Sequence, residues 1–301
     1  ENIIDESNVI IATPEKAKAM LRANAEILDT IKLVVVDEGH LFGGNKRLIV
    51  NEIFYEELKY FINKNDGQFL LLSAVLPNAD VLATWLTGSA ETVYKDTWRP
   101  SDERFGTLEW TGRAVNLNWR NSDTERATYN NNFVVPVALP LKPRERVVKY
   151  LPGDKNEAIA ATAKKLRKLG TVLIFVGKKA SVFTMAKAYL KFLNDPEVDF
   201  HWKNQNDWKA FELACAETYG ADSEWLKYAR KGILCHNSDL HADVRLTLEK
   251  LMRNEKPEVI IATSTLAQGV NLGISTVIFS TLHQNRGDIS SRDFWNIAGR
   301  A

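Results

Sequence analysis

The sequence is poor in cysteine, with only Cys215 and Cys235 among 301 residues. Two thiols cannot make a four-ligand zinc site, and so few suit a reducing compartment better than a disulfide framework. Long apolar runs are also missing. No stretch approaches the roughly 18 consecutive apolar residues that cross a bilayer, so no membrane partner is expected. The N-terminus has no basic region followed by an apolar core, so no secretory leader is read there, and the expected location is cytoplasmic. Neither sign of charge is in excess: 39 Lys and Arg against 38 Asp and Glu leave a net +1. The chain is not a polycation, and any contact with nucleic acid must come from local patches and backbone amides. An initiator Met is lacking, from which a fragment of a longer protein is expected. Low-complexity segments and short-period repeats are absent too.

What the sequence does contain is alternation. With 45% hydrophobic and 26% charged residues it has an ordinary globular composition, and its length suits about two domains. The focal stretch is Leu33-Val34-Val35-Val36-Asp37-Glu38-Gly39-His40. Four apolar residues, three of them β-branched, predict a strand buried on both faces, as in a parallel sheet. Asp37 and Glu38 then stand at its C-terminal rim, where open α/β sheets bind ligands. Two carboxylates there call for a cation or hydrogen-bond donors. The natural partners are Mg²⁺ and a water to be activated. Solvated acids that also cap a helix explain the same residues equally well.

Upstream, Val9-Ile10-Ile11-Ala12 predicts a short buried strand, and Thr13 and Pro14 suit the cap and first position of a helix. The amides at that helix start offer a place for a phosphate, although plain capping is the simpler reading. Downstream the pattern predicts a helix over 49–62, a buried strand over 68–73, a short helix over 81–86 and a strand over 92–94. Residues 106–119 read as a β-hairpin turning at Thr111-Gly112-Arg113. Asn130-Asn131-Asn132, with Pro136, Pro140 and Pro143, reads as an extended linker.

The second half repeats the alternation. A helix is expected over 157–169, a strand over 172–176 and a helix over 181–193. A helical insertion near 195–230 carries Trp202, Trp208 and Trp225, read as its core. A strand over 233–235 leads to His236, a helix follows over 243–253, strands over 259–262 and 277–279, and a last helix begins at Phe294. The expected fold class is therefore α/β, with two mostly parallel sheets. Polar residues fall at one strand end after another: Thr13, Asp37, Ser73, His236 and Thr263. In doubly wound sheets such ends share an edge, and two such sheets joined by a stiff linker can hold a ligand between them.

These motifs, taken in order, resemble superfamily 2 helicases of the DEAD/DEAH-box kind, nearest to the Ski-like branch, over essentially the whole chain. Ala12-Thr13-Pro14-Glu15-Lys16 resembles motif Ib, and Asp37-Glu38-Gly39-His40 motif II, the Walker B segment. Leu72-Ser73-Ala74-Val75 resembles motif III, with Val75 where Thr is usual, and Leu173 to Lys178 resembles motif IV. Cys235-His236-Asn237-Ser238-Asp239-Leu240 with Arg245 is similar to the His-rich segment of the Ski-like group. Ala262-Thr263-Ser264-Thr265-Leu266-Ala267-Gln268-Gly269-Val270-Asn271-Leu272 is a near-complete motif V. Phe294-Trp295-Asn296-Ile297-Ala298-Gly299-Arg300-Ala301 looks like motif VI, cut short.

The resemblance implies the two RecA-like domains of a P-loop NTPase helicase core, at residues 1–135 and 151–301 with a linker at 136–150, the first domain incomplete. It implies ATP and Mg²⁺ as cofactors and single-stranded or partly duplex DNA or RNA as partner. Asp37 would hold Mg²⁺ through its water shell and Glu38 would polarise the attacking water. His40 and Arg300 complete the implied catalytic set, with Gly269, Asn271 and Arg300 beside the nucleotide. Ser73, His40 and Gln268 would couple the nucleotide site to the domain interface. Thr13, Pro14, His236, Asn237, Thr263 and Ser264 would bind the strand, through its backbone and hence without sequence specificity. Residues 281–291 sit where Ski-like enzymes carry a strand-separating hairpin, here short.

The expected function is an ATP-dependent nucleic-acid helicase core that couples hydrolysis to movement along, or unwinding of, DNA or RNA. Its rivals are a translocase or remodeller that separates no strands, and a non-catalytic nucleic-acid-binding module derived from a helicase. No Gly-x-x-x-x-Gly-Lys-Ser/Thr occurs in the sequence, and motif VI stops before its usual second arginine. These 301 residues alone are thus expected neither to bind ATP tightly nor to hydrolyse it, and the first domain is expected to be the less stable.

Overall fold

The computed structural model describes residues 9–39, 46–73, 78–96, 103–121, 126–141, 143, 146–267, 272–284 and 287–299. The chain divides into two compact units, residues 1–98 and 99–301.

In the first unit, helix α1 (Pro14–Ala23) starts where the sequence expects it. Thr13 is extended at φ −69° and ψ 156°, and its Oγ1 accepts from the Lys16 amide at 3.4 Å, with Pro14 in the first turn. Strands β1 (Leu33–Val36) and β2 (Gln68–Leu71) pair in parallel, Val36 opposite Leu71. Helix α2 (Lys46–Lys64) crosses between them and buries Phe54, Tyr55, Leu58 and Ile62. Phe54, Tyr55 and Leu58 cluster with Leu28 and Val36. Helix α3 (Ala79–Thr87) follows.

Burial on both faces of β1 is not observed. Val36 is buried, but Leu33 and Val35 are 56% and 50% exposed. Alternate side chains of a strand face opposite ways, and among the described residues the packing lies on the Val34 and Val36 side. Residues 9–12 form no strand either, and Val9 and Ile11 are exposed. The strand expected over 92–94 is replaced by a short 3₁₀ turn at Ala90–Thr92. Ser89 caps it, and the Thr87 and Thr92 hydroxyls bond at 2.8 Å. Such local side-chain bonds compete with sheet pairing.

The second unit opens with an antiparallel sheet of β3 (Arg104–Trp110), β4 (Val115–Asn121) and β5 (Ala127–Val134). The hairpin expectation holds, with Gly112 at φ 84° in its turn. The asparagine run expected to be linker is instead the body of β5. The ladder slips between Val115–Val134 and Leu117–Asn130, and within that slip Asn132 adopts φ 53°. The sheet also belongs to the second unit and not, as expected, to the first. Leu108, Trp119 and Phe133 lie against that unit's core, and Lys165 Nζ bonds the Phe133 carbonyl at 2.5 Å. Inside the expected linker, β6 (Val137–Ala138) pairs with β7 (Tyr150–Leu151).

The central sheet of this unit runs β11 (Ile274–Phe279), β8 (Thr171–Phe175), β10 (Val259–Ala262), β9 (Ile233–His236), all parallel. Every residue of β8, β9 and β10 is buried, as continuous apolar runs require when both sheet faces are covered. One face packs on helices α4 (Lys155–Leu166) and α5 (Ser181–Leu190). The other packs on α6 (Gln205–Tyr219), α8 (Ala242–Asn254) and α9 (Ser291–Ala298). The short α7 (Glu224–Ala229) completes the insertion. Trp202 is buried and stacks on Trp208 at 5.7 Å between centroids, so the insertion's tryptophans form core as expected. A two-residue hairpin, β12 (His283–Gln284) and β13 (Gly287–Asp288), lies between β11 and α9. Among the described residues no helix is long and apolar enough to cross a membrane.

Candidate functional site

In the first unit the parallel ladder continues past the strands, and this isolates the acid pair. The Leu72 amide donates to the Val36 carbonyl at 2.8 Å, and the Gly39 amide donates to the Leu72 carbonyl at 2.7 Å. The chain between those two anchors must loop out, and it contains Asp37 and Glu38. Glu38 takes φ 55°, and its amide donates to Asp37 Oδ1 at 2.8 Å. A left-handed backbone at a residue with a Cβ costs about 1–2 kcal/mol, and strain of this kind gathers where a site needs it. Gly39 closes the loop, set close against the Leu71 side chain. A Cβ there would lie 2.1 Å from Leu71 Cδ2 on the neighbouring strand. Ser73, half-buried, follows the Leu72 anchor at the same sheet end. Asp37 and Ser73 are thus brought to one edge, as expected.

The donor set around Asp37 is what a hard cation takes when phosphates supply the rest of its shell, one or two carboxylates being enough. Among the described residues no group of three or more His, Cys, Asp or Glu side chains could hold an ion alone. The residues present therefore fit a metal that arrives with a nucleotide.

In the second unit the C-terminal ends of β9 and β10 lie side by side, Ala262 opposite His236. The Thr263 amide donates to the His236 carbonyl at 3.2 Å. His236, expected to touch the strand, is instead buried. Its Nε2 lies 3.2 Å from Glu249 Oε1 and its Nδ1 3.3 Å from Thr265 Oγ1. Burial pushes its pKa below the ordinary value, and this outweighs the opposing pull of Glu249. Asn237 is buried as well, its Oδ1 accepting from the Asp239 amide at 2.9 Å. Both side chains are turned inward and hold the loop. Thr263 and Ser264 remain partly exposed beside them, with Thr263 Oγ1 3.2 Å from Thr265 Oγ1. Lys179, past the end of β8, pairs with Asp239. At that same end a Cβ on Gly177 would meet the His283 carbonyl at 1.9 Å. Glu249 and Thr265 were missed from sequence. Glu249 reads there as one more charge on an amphipathic helix, and only the fold brings it to His236.

His40, Gln268, Gly269, Asn271 and Arg300 lie outside the described residues.

The match to known families follows the same division. The DEAD/DEAH box helicase family matches residues 1–83, which include the acid pair, and the helicase conserved C-terminal domain matches residues 200–301. The chain belongs to the DEAD/DEAH box helicases. Both helicase domains are RecA-like α/β folds, and the parallel sheets of the two units are of that kind. The chain is 46% identical over 304 residues to the Hachiman protein HamB of Bacillus cereus, covering 98% of this chain and 27% of that protein. It is 26% identical over 303 residues to the ATP-dependent DNA helicase Hel308 of Pyrobaculum calidifontis, covering 99% of this chain and 38% of the relative. To the Helicase POLQ-like protein of Caenorhabditis elegans it is 27% identical over 304 residues, covering 98% and 30%. The chain thus spans 27% to 38% of the length of these three relatives. Members of this family use ATP and a divalent metal.

Proposed function

We propose that this chain is the core of an ATP-dependent nucleic-acid helicase that couples hydrolysis to movement along, or unwinding of, a strand. The observation that carries the reading is the Asp37–Glu38 loop, lifted out of a parallel ladder at a sheet's C-terminal edge, with Glu38 in the left-handed region. On this reading Asp37 holds Mg²⁺ through water. The metal supplies charge neutralisation at the phosphates. Glu38 accepts a hydrogen bond from the attacking water and takes its proton, and a base so placed contributes about 10²–10⁴ in rate. Ser73 at the same edge is assigned to coupling on the motif resemblance. On the motif resemblance alone we assign Gly269, Asn271 and Arg300 to the nucleotide, His40 and Arg300 to catalysis, and His40 and Gln268 to coupling.

On the motif resemblance, Thr13 and Pro14 in the first unit and Thr263 and Ser264 in the second are each assigned to the strand. DNA is favoured as the strand, because relatives are named DNA helicases. The His-rich segment supports the Ski-like branch and, with it, 3′ to 5′ movement. Two buried free thiols, Cys215 and Cys235, suit a reducing, cytoplasmic location.

A second reading, translocation without strand separation, is favoured by one feature. The β12–β13 hairpin pairs only two residues of each strand, a small wedge for splitting a duplex. ATP hydrolysis by the full-length protein, with and without single-stranded DNA, measured beside a fluorescence unwinding assay, tests both. DNA-stimulated hydrolysis with unwinding supports the first, stimulation without unwinding supports the second, and no stimulation refutes both.

A further inference from the structure

The β12–β13 hairpin is short, yet its base is fastened to the central sheet. β11 stays bound beyond its last pair with β8, since the Ser280 amide donates to the Phe175 carbonyl at 3.0 Å. The chain that turns into the hairpin therefore leaves from beside the end of β8, where Val176 and Gly177 follow. That end is itself tied down, the Val176 amide donating to the Ala262 carbonyl at 2.9 Å. His283, the first residue of the hairpin, is then held at three points. Its amide donates to Thr281 Oγ1 at 3.0 Å. Its ring Nδ1 pairs with the Asp288 carboxylate on the opposite strand. Its carbonyl lies against Gly177, where a Cβ would overlap the carbonyl oxygen and come within 2.9 Å of Thr281 Cγ2. The Ile289 amide, donating to the Leu282 carbonyl at 2.7 Å, closes the base.

Gly177 does not have a positive φ, so close approach and not backbone freedom calls for glycine here. The obstacle to a larger residue is main chain. A crowded side chain can turn to another rotamer, but the His283 carbonyl cannot move without the hairpin. A hairpin of two residue pairs has too few hydrogen bonds to keep its own shape, so its stiffness has to come from its base. We propose that Gly177 is a positioning residue that seats the hairpin on the end of β8 as a rigid part of the sheet, and that strand separation depends on this seat while ATP turnover does not. This role rests on the helicase reading above, in which the hairpin is the wedge.

The test compares the full-length protein with its Gly177→Ala variant. Three quantities are read: unwinding of a partly duplex DNA, ATP turnover stimulated by single-stranded DNA, and backbone amide hydrogen exchange. In the variant, exchange over residues 281–289 should speed up about fivefold or more, the low end of what overpacking causes. Unwinding should slow by a similar factor, while ATP turnover is unchanged and β8, β9 and β10 keep their protection. A second variant covers the case in which Gly177→Ala loosens the sheet as well. In it residues 283–288 are replaced by two glycines, leaving Leu282 and Ile289 at the ends of a two-residue turn. With the His283 carbonyl gone, Gly177→Ala should no longer affect protection of the sheet. Damage that persists there overturns the proposal. So does Gly177→Ala with unchanged exchange over 281–289, with unchanged unwinding, or with ATP turnover lost in step with unwinding. ATP turnover without unwinding by the unaltered protein refutes the strand-separating reading instead, and the exchange comparison then still decides the seat.

Discussion

At the scale of single residues, the first site is closed by a glycine set close against the neighbouring strand. A Cβ on Gly39 would meet the Leu71 side chain, and the Gly39 amide is one of the two anchors of the Asp37–Glu38 loop. Gly39→Ala forces either Leu71 or the loop to move. Overpacking of this kind costs about 1–3 kcal/mol, so the variant's denaturant midpoint should fall at unchanged slope. An unaltered midpoint would show that the loop is not clamped as described. The cap at Thr13 was legible because Thr-Pro-Glu places a capping hydroxyl, a fixed φ and a helix-favouring acid in order. The position of Asp37 and Glu38 at a strand end was legible from the apolar run before them. The left-handed turn at Glu38 was not, since glutamate carries no signal for it. The burial of His236 was hidden for a different reason. Its partner Glu249 is 13 residues away in sequence, and only the packing of α8 beside β9 joins them.

At the scale of elements, fully buried strands and capped helices were the readable part. Val172 to Val176 and Val259 to Ala262 announce themselves by composition. The misread elements were those in which local chemistry decides. The run Asn130-Asn131-Asn132 suggested a linker, yet asparagine tolerates the left-handed backbone that an irregular strand pair needs. Asn132 supplies it, and its amide donates to Asn116 Oδ1 across the pair at 3.0 Å.

Helix α6 is fastened in a way that can be tested by pH. Asp207 is buried and accepts from Lys250 Nζ at 2.8 Å, Asn254 Nδ2 at 2.7 Å and Asn204 Nδ2 at 2.8 Å. The Lys250 bond, then the Asn254 bond, hold its pKa below the ordinary 3.8. A depressed carboxylate stabilises the fold above its unfolded pKa and loses that contribution as pH falls through its folded one. Asp207→Asn should therefore be less stable than the unaltered chain at pH 7 and approach it as pH falls below 3.8. Urea midpoints compared across that range check this, and a gap that stays constant into acid would contradict it.

At the scale of the whole molecule, the two units differ in how completely their sheets are covered. The four-stranded sheet has buried clusters on both faces. Among the described residues of the first unit, the β1–β2 pair has its cluster on one side, while Leu33, Val35, Leu70 and Leu72 remain largely exposed. Less buried apolar area means less stabilisation, so residues 1–98 should open first. Limited proteolysis should leave a resistant fragment that begins near residue 99. Early loss of the second unit would contradict this.

The central claim concerns Glu38, and one substitution reaches it most directly. Glu38→Gln in the full-length protein keeps the size and the loop but cannot take a proton. If Glu38 activates the attacking water, DNA-stimulated ATP turnover should fall by about 10²-fold or more while single-stranded DNA binding is retained. Turnover within a few-fold of the unaltered protein would contradict the account.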